Sequence, residues 1–258
     1  MIDFSPSELM AVAAAREVRD GEVVLVGLGI PQIAADLAKL RHAPNIICLS
    51  EIGVLDPRPG GPQGVGNADP RLWRGAIGLG SFIDVMGHVL HRGRVDLGFL
   101  GALEVDARGN VNSTEVLAPD GSPRRFGGSG GANDIASHAG RVVIVCRHSR
   151  EKLVARVRYV TSPGRSSEKD GVLPGGGPVR IVTDKAVLAV TEDGLRVVSV
   201  YPGVNPESLR ECTGCEVTIE RDVPETEPPD KEELAIIRNV LDPKSYYTRR
   251  PDIVGRTA

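Results

Sequence analysis

The chain has 258 residues, 41% hydrophobic, 25% charged and 3% aromatic, with a formal net charge of -3 at pH 7. This is a globular composition, with neither a collagen-like glycine period nor the apolar poverty of a disordered chain. Few rings and a slightly acidic balance also exclude a single-strand nucleic-acid binder, which needs stacking platforms and a basic groove.

The predicted elements begin with a helix. Ser5-Pro6-Ser7-Glu8 has the form of a capping box with proline at the first helical position, and Leu9, Val12, Ala13 and Val18 follow one face until Gly21 stops it. Glu22 to Val26 reads as a buried strand, and Gly27-Leu28-Gly29-Ile30-Pro31 as a tight loop. Ile33 to Leu40 reads as a second helix and Ile46 to Leu49 as a second buried strand. Strand, glycine loop, helix and strand make a βαβ unit, which implies a parallel sheet.

Pro57 to Pro70 is rich in glycine and proline and reads as an irregular loop. Phe82 to Leu90 has a helical pattern, and Val95 to Leu100 and Val142 to Cys146 are apolar strands. Between those strands lies a dense glycine loop, Gly127-Gly128-Ser129-Gly130-Gly131. Beyond Pro163 come short strands at Val179 to Val182, Ala186 to Val190 and Leu195 to Val200. The last two are joined by a turn at Glu192-Asp193-Gly194, which predicts an antiparallel addition to the sheet. Asp222 to Asp230 is an acidic, proline-rich arm, and a last helix starts at Asp230, with Glu233 as its capping partner, and runs to about Leu241. The fold class expected is α/β: an open, mostly parallel sheet with flanking helices, in a single domain over residues 1–258.

Compartment follows from smaller signals. Met1-Ile2-Asp3-Phe4 is acidic and lacks the apolar core of a signal peptide, and the longest uncharged stretch, between Glu22 and Asp36, is too short for a membrane span. Four cysteines do not make a disulfide framework. The expectation is a cytoplasmic protein with no membrane partner. Arginine outnumbers lysine 25 to 6, but no cluster of arginines dominates.

Ligands in open α/β sheets bind beyond the carboxyl ends of the strands, and three features fall there. Gly27 and Gly29 follow the first strand and let backbone approach a ligand. Ser50-Glu51-Ile52-Gly53 follows the second, with Gly53 marking a sharp turn that aims a carboxylate. The run Gly127 to Asp134 exposes consecutive backbone N–H groups, a nest for an oxyanion. Three other features are weaker. Cys212-Thr213-Gly214-Cys215 is a lone CxxC pair without further zinc ligands, read as structural thiols. His88 and His91 share a helix with no carboxylate in support, read as a solvated face. His148 follows a strand without a nucleophilic partner. No metal site is expected.

Taken in order, several motifs resemble the class I CoA-transferases, most closely the β subunits of the glutaconate type. They are VLVGLGIPQIAADLAKLRHAPN at Val24 to Asn45, SEIGVLD at Ser50 to Asp56, GNVNST at Gly109 to Thr114, RFGGSGGANDIA at Arg125 to Ala136, YVTSPG at Tyr159 to Gly164, VTDKAVL at Val182 to Leu188 and LDPK at Leu241 to Lys244. The resemblance implies a CoA-transferase-like fold and one subunit of a heteromer, two or more αβ pairs built with an α subunit. It places the family's covalent glutamate on Glu51 and its oxyanion region on Gly130, Gly131 and Ala132, with Asn133 beside them. Gly27 and Gly29 fall on a substrate-proximal loop. It implies acyl-CoA and a carboxylic acid as substrates, dicarboxylic and oxo acids among the candidates. Coenzyme A is then a co-substrate, with no cofactor bound permanently. The alternative within the same fold is a ring-opening hydrolase of CoA thioesters, as in steroid catabolism; those relatives lack a glutamate at this point. The loop Pro57 to Pro70 departs from the glutaconate-type pattern and leaves the identity of the acid open.

Overall fold

The computed structural model describes residues 3–61, 66, 68–118, 120–165 and 173–248. In chain order, helix α1 (Pro6–Ala15) leads to strand β1 (Val23–Leu25), helix α2 (Ile30–Arg41), and strands β2 (Ile47–Leu49), β3 (Val54–Leu55) and β4 (Gly78–Leu79). A π-helix (Ile83–Leu90) precedes β5 (Leu97–Gly101) and the short strands β6 (Glu104–Asp106), β7 (Val111–Asn112), β8 (Glu115–Leu117) and β9 (Pro123–Arg125). Helix α3 (Ala132–His138) then feeds β10 (Arg141–Val145) and β11 (Leu153–Val154). The chain closes with β12 (Pro178–Val182), β13 (Ala186–Thr191), β14 (Gly194–Val200), α4 (Pro206–Cys212), β15 (Val217–Thr218) and α5 (Lys231–Ile236), which continues as a π-turn to Leu241.

Ten strands form one sheet in the order β15-β14-β13-β12-β10-β5-β1-β2-β3-β4. The central run is parallel: β12 on β10, β10 on β5, β5 on β1, and β1 on β2. From β1 the chain steps to β2 on one side, and β5 returns on the other before β10 extends that half. The order therefore reverses between β1 and β5, the kind of crevice where such sheets bind ligands. The antiparallel addition is β12-β13-β14, and β15 joins β14 in parallel.

The central strands are apolar on both faces because both are covered. Val24, Phe99, Val143 and Val145 join a core built with α1, α2 and the Ile237–Leu241 turn. Their neighbours Leu25, Leu100, Val142 and Ile144 join a second core under the π-helix and α3. Both expected capping boxes form, Ser5 with Glu8 and Asp230 with Glu233.

Several details differ from expectation. Helix α1 stops at Ala15, and Val18 is buried just beyond it. Helix α2 starts at Ile30 rather than Ile33, since Gly29 at φ 91° turns the chain directly into it. Residues 57–61 and 66–70 belong to the expected irregular loop, whose positions 62–65 and 67 lie outside the described residues. The two- and three-residue strands β3, β4, β6, β7, β8, β9, β11 and β15 carry too little periodicity to be seen beforehand. No helix among the described residues is long and apolar enough to cross a membrane.

Candidate active site

Strand β2 ends at Leu49, and the chain turns at once. Gly53 donates to the Ser50 carbonyl at 3.0 Å and takes φ 100°, a conformation reserved for glycine. A β-carbon there would lie 2.3 Å from the Gly80 carbonyl oxygen, and Gly80 in turn donates to the Gly53 carbonyl at 2.8 Å. The turn is thereby pressed against the segment after β4, and it carries Glu51, half-buried, beyond the carboxyl end of β2.

The glycine loop meets this carboxylate. The Gly131 N–H donates to Glu51 Oε2 at 3.0 Å, so residues eighty positions apart share one contact. Gly130, at φ 48°, lies over both carboxylate oxygens, 3.8 Å from each by its missing β-carbon. The loop is held from behind. Ser113 Oγ donates to the Gly128 carbonyl at 2.8 Å, and Asn133 Nδ2 donates to the Thr161 carbonyl at 3.0 Å. The Asn133 N–H donates to Ser129 Oγ at 3.1 Å, and the Ala132 N–H to the Ser129 carbonyl at 2.9 Å. Ala132 and Asn133 thus shape the loop, while Gly131 supplies the donor on Glu51.

The two glycines after β1 part company. Gly27 lines a cavity of about 60 Å³ at the ends of β1 and β2, together with Leu28, Ser50 and the helix residues Gln32 and Asp36. Gly29 instead starts α2 and packs toward the Tyr247 ring.

Asp36 is the side chain that sequence reasoning missed. It is 7% exposed, and the Gly60 N–H donates to its Oδ2 at 3.0 Å. Burial pushes its carboxyl up to about 7, against the opposing pull of the Gly60 hydrogen bond and the Lys39 charge. Lys39 itself is engaged by Asp56 and by the Ile46 carbonyl. On the sequence Asp36 reads as the polar face of an amphipathic helix; it becomes buried because the chain after β3 folds over that face.

The remaining sequence candidates lie elsewhere. His148 is 5% exposed, its ring nitrogens 3.0 Å from Thr183 Oγ1 and 3.0 Å from Thr213 Oγ1. Burial, reinforced by Lys185, depresses its imidazole to about 4, so it is a neutral tether between β10 and the segments after β12 and α4. Cys212 ends α4 and Cys215 lies just beyond it, and all four cysteines are free. Cys212 Sγ accepts from Lys185 Nζ at 3.2 Å, and burial raises the Cys215 thiol to about 11. The Cys215 thiol is therefore not activated. The reading of His91 as merely solvated needs correction. Its Nε2 lies 2.8 Å from Asp134 Oδ1, and its ring stacks on His138 at 4.0 Å. Both partners come from α3, so spacing within one helix could not reveal them. The stacked rings are within 11° of parallel, so their in-plane lone pairs do not converge on one point.

A carboxylate beyond a strand end, held by a backbone donor and flanked by a cavity, suits covalent acyl chemistry. Comparison with known proteins points the same way. The profile of the Coenzyme A transferase family matches residues 7–65 and 76–211. The B subunit of 3-oxoadipate CoA-transferase from Pseudomonas knackmussii is 35% identical over 92% of this chain and 94% of its own. The B subunit of glutaconate CoA-transferase from Acidaminococcus fermentans is 33% identical over 96% of this chain and 97% of its own. The crystal structure of that enzyme superposes with a TM-score of 0.86, covering 96% of this chain and 99% of the matched one. The IpdB component of a cholesterol ring-cleaving hydrolase from Mycobacterium tuberculosis is 30% identical over 94% of this chain and 97% of its own.

Proposed function

The chain belongs to the coenzyme A transferase family, and we propose that it is the β-type subunit of a transferase moving CoA between an acyl-CoA and a carboxylic acid. The observation that carries this reading is Glu51 beyond β2 with the Gly131 N–H on its carboxylate. Coenzyme A is a co-substrate in this reading, and the site works in the cytoplasm as part of a hetero-oligomer of αβ pairs. The chain acts as one domain over 1–258.

The chemistry follows from the carboxylate. Glu51 attacks the acyl-CoA carbonyl through one carboxylate oxygen, while the Gly131 N–H stays on Oε2, where it stabilises by about 3 kcal/mol the oxyanion that forms on the glutamyl carbonyl when thiolate adds to it. Collapse breaks the C–S bond and leaves a mixed acyl-glutamyl anhydride and CoA thiolate. The thiolate attacks the glutamyl carbonyl, forming a glutamyl-CoA thioester and releasing the first acid as its carboxylate. The acceptor carboxylate then attacks that thioester, and the same steps in reverse yield the new acyl-CoA and restore Glu51. No net proton moves, so no general base is required, consistent with the absence of His148 from the site. Both intermediates are open to hydrolysis, so water has to be kept out. An α subunit closing over the Glu51 turn supplies that exclusion.

The test uses the chain co-purified with its partner subunit. Incubation with acyl-CoA and digestion should give a CoA adduct on the Glu51 peptide. Glu51→Ala should abolish both adduct and transfer, and full transfer by that variant overturns the reading. The relation to the ring-cleaving hydrolase supports a second reading, CoA-dependent hydrolysis. Release of free acid at full rate without an acceptor acid, with no adduct, selects it.

A further inference from the structure

The loop that brings a donor to Glu51 has little to hold its own shape. Four of the five residues Gly127–Gly131 are glycine, and Gly128 and Gly130 take φ of 76° and 48°. Such a run has almost no side chains to pack and the widest backbone freedom a sequence can have. Contacts inside the loop, from Ser129 to Ala132 and Asn133, fix its last turn only against itself. Its place in the molecule is set from behind, and the hydrogen bonds there converge on a residue that the covalent chemistry does not use.

That residue is Thr161, 5% exposed, on the segment between β11 and β12. The Thr161 and Ser162 N–H groups both donate to the Val111 carbonyl, at 2.9 and 3.0 Å, which lays this segment along β7. From there Thr161 reaches both ends of the loop. Its Oγ1 accepts from the Ser113 N–H at 2.9 Å and pairs with Thr114 Oγ1 at 2.7 Å. Ser113 and Thr114 in turn hold the entry. The Phe126 N–H donates to the Thr114 carbonyl at 2.8 Å, the Gly128 N–H to the Ser113 carbonyl at 3.2 Å, and Ser113 Oγ to the Gly128 carbonyl at 2.8 Å. The Thr161 carbonyl accepts from Asn133 Nδ2 at 3.0 Å and so holds the exit. Gly131 lies between the two ties, with its N–H on Glu51 Oε2 at 3.0 Å. A backbone donor serves developing charge only when it is placed to within a fraction of an ångström. Thr161 is buried, and its β-branched side chain is restricted at χ1, so it has the rigidity that the loop lacks.

We propose that Thr161 is the positioning residue of the Gly131 donor: it sets where that N–H stands against Glu51 by fixing both ends of the glycine loop. This role rests on the reading of Glu51 above and adds to it a residue that does not touch the reacting carboxylate. Its hydroxyl is the part a substitution can remove. Without it the Ser113 N–H loses its acceptor, and the entry of the loop is freed while the exit stays tied.

The experiment uses the complex with its partner subunit. Thr161→Val keeps the side-chain shape and removes the hydroxyl, Thr161→Ser keeps the hydroxyl, and Asn133→Ala, at an exposed residue, cuts the exit tie without touching a core. Thr161→Val should lower the single-turnover rate of CoA adduct formation on Glu51 at least tenfold, with KM for acyl-CoA within about threefold of wild type. Thr161→Ser should restore the rate to within about threefold, and Asn133→Ala should lower it in the same direction as Thr161→Val. Adding Gly131→Ala to Thr161→Val should cost less than the product of the two separate effects, because both act through one donor. Hydrogen–deuterium exchange in the peptide over residues 126–133 should quicken in Thr161→Val and return to the wild-type rate in Thr161→Ser. An unchanged adduct rate in Thr161→Val, with Glu51→Ala inactive, overturns the positioning role and leaves the Glu51 reading standing. If the wild-type complex forms no adduct, the Glu51 reading fails and exchange decides alone: quickening in Thr161→Val that Thr161→Ser reverses supports the anchor, and unchanged exchange overturns it. If Thr161→Val does not fold, the adduct rate and exchange of Asn133→Ala decide in its place by the same criteria.

Discussion

A methyl group at Gly131 would sit 2.5 Å from Glu51 Oε2 and 2.8 Å from Met86 Cε. The first contact is with the carboxylate that the same residue's N–H holds at 3.0 Å. Glycine here is thus a condition of the donor's approach as much as of the turn. Relief by moving Glu51 breaks the hydrogen bond, and relief by moving the loop strains its anchors at Ser113 and Thr161. Gly131→Ala should therefore lower kcat by about 10²–10³, the usual consequence of losing one oxyanion donor. Its thermal midpoint should fall by only a few degrees, because the clash with the second core falls on the flexible end of the Met86 side chain. Single-turnover measurement of CoA adduct formation on Glu51 checks this. An unchanged rate of adduct formation would separate Gly131 from the chemistry.

At the scale of elements, helix α2 serves two environments. Ile33, Ala34, Leu37 and Ala38 sit in the core against α1 and the sheet, while Asp36 faces the cavity beneath the chain that follows β3. The groups around Asp36 are Lys39 on its own helix, Asp56 beyond β3, Cys48 on β2 and Arg58 in the cavity wall. Its folded carboxyl titrates near 7 rather than at 3.8. Between those values the unfolded chain releases the proton and the folded chain keeps it, so this group lowers stability as pH rises from about 4 to about 7. Asp36→Asn removes that slope. Denaturation of wild type and variant from pH 4 to 8 should show the variant gaining relative stability upward through the window, by up to a few kcal/mol, and a constant difference would refute it. The same helix shows what sequence could and could not reveal. Its Ile33, Leu37 spacing, the Val24-Leu25 and Cys48-Leu49 runs and the two capping boxes are local signals, and each element appeared where those signals fall. Glu51 and the glycine loop were visible as strand-end features. Their contact was not, since it joins positions eighty residues apart. Asp36 was hidden for the same reason: its burial comes from a segment some twenty residues downstream.

On the whole molecule, the sheet ends at β4, an edge strand beside the Glu51 turn. That edge is apolar where an edge of a lone chain is normally charged or covered. Ile77 is 72% exposed, Leu79 62% and Ile83 64%, with Phe82 and Trp73 exposed beside them. The intermediates proposed on Glu51 would need shelter from water, and the Gly53–Gly80 contact makes this edge continuous with the turn that carries Glu51. A partner subunit laid on β4 would bury the patch and roof the site in one step. Leu79→Glu and Ile83→Glu should each leave the thermal midpoint within a few degrees, since neither side chain is in a core. Each should weaken association with the partner by at least a hundredfold, because a charge would be buried unpaired at the interface. Leu40→Glu, on the exposed end of α2, serves as the control. Light scattering on the co-expressed pair reads the outcome. If both edge variants still form the complex at wild-type concentration, the partner lies on another face and the edge needs a different cover.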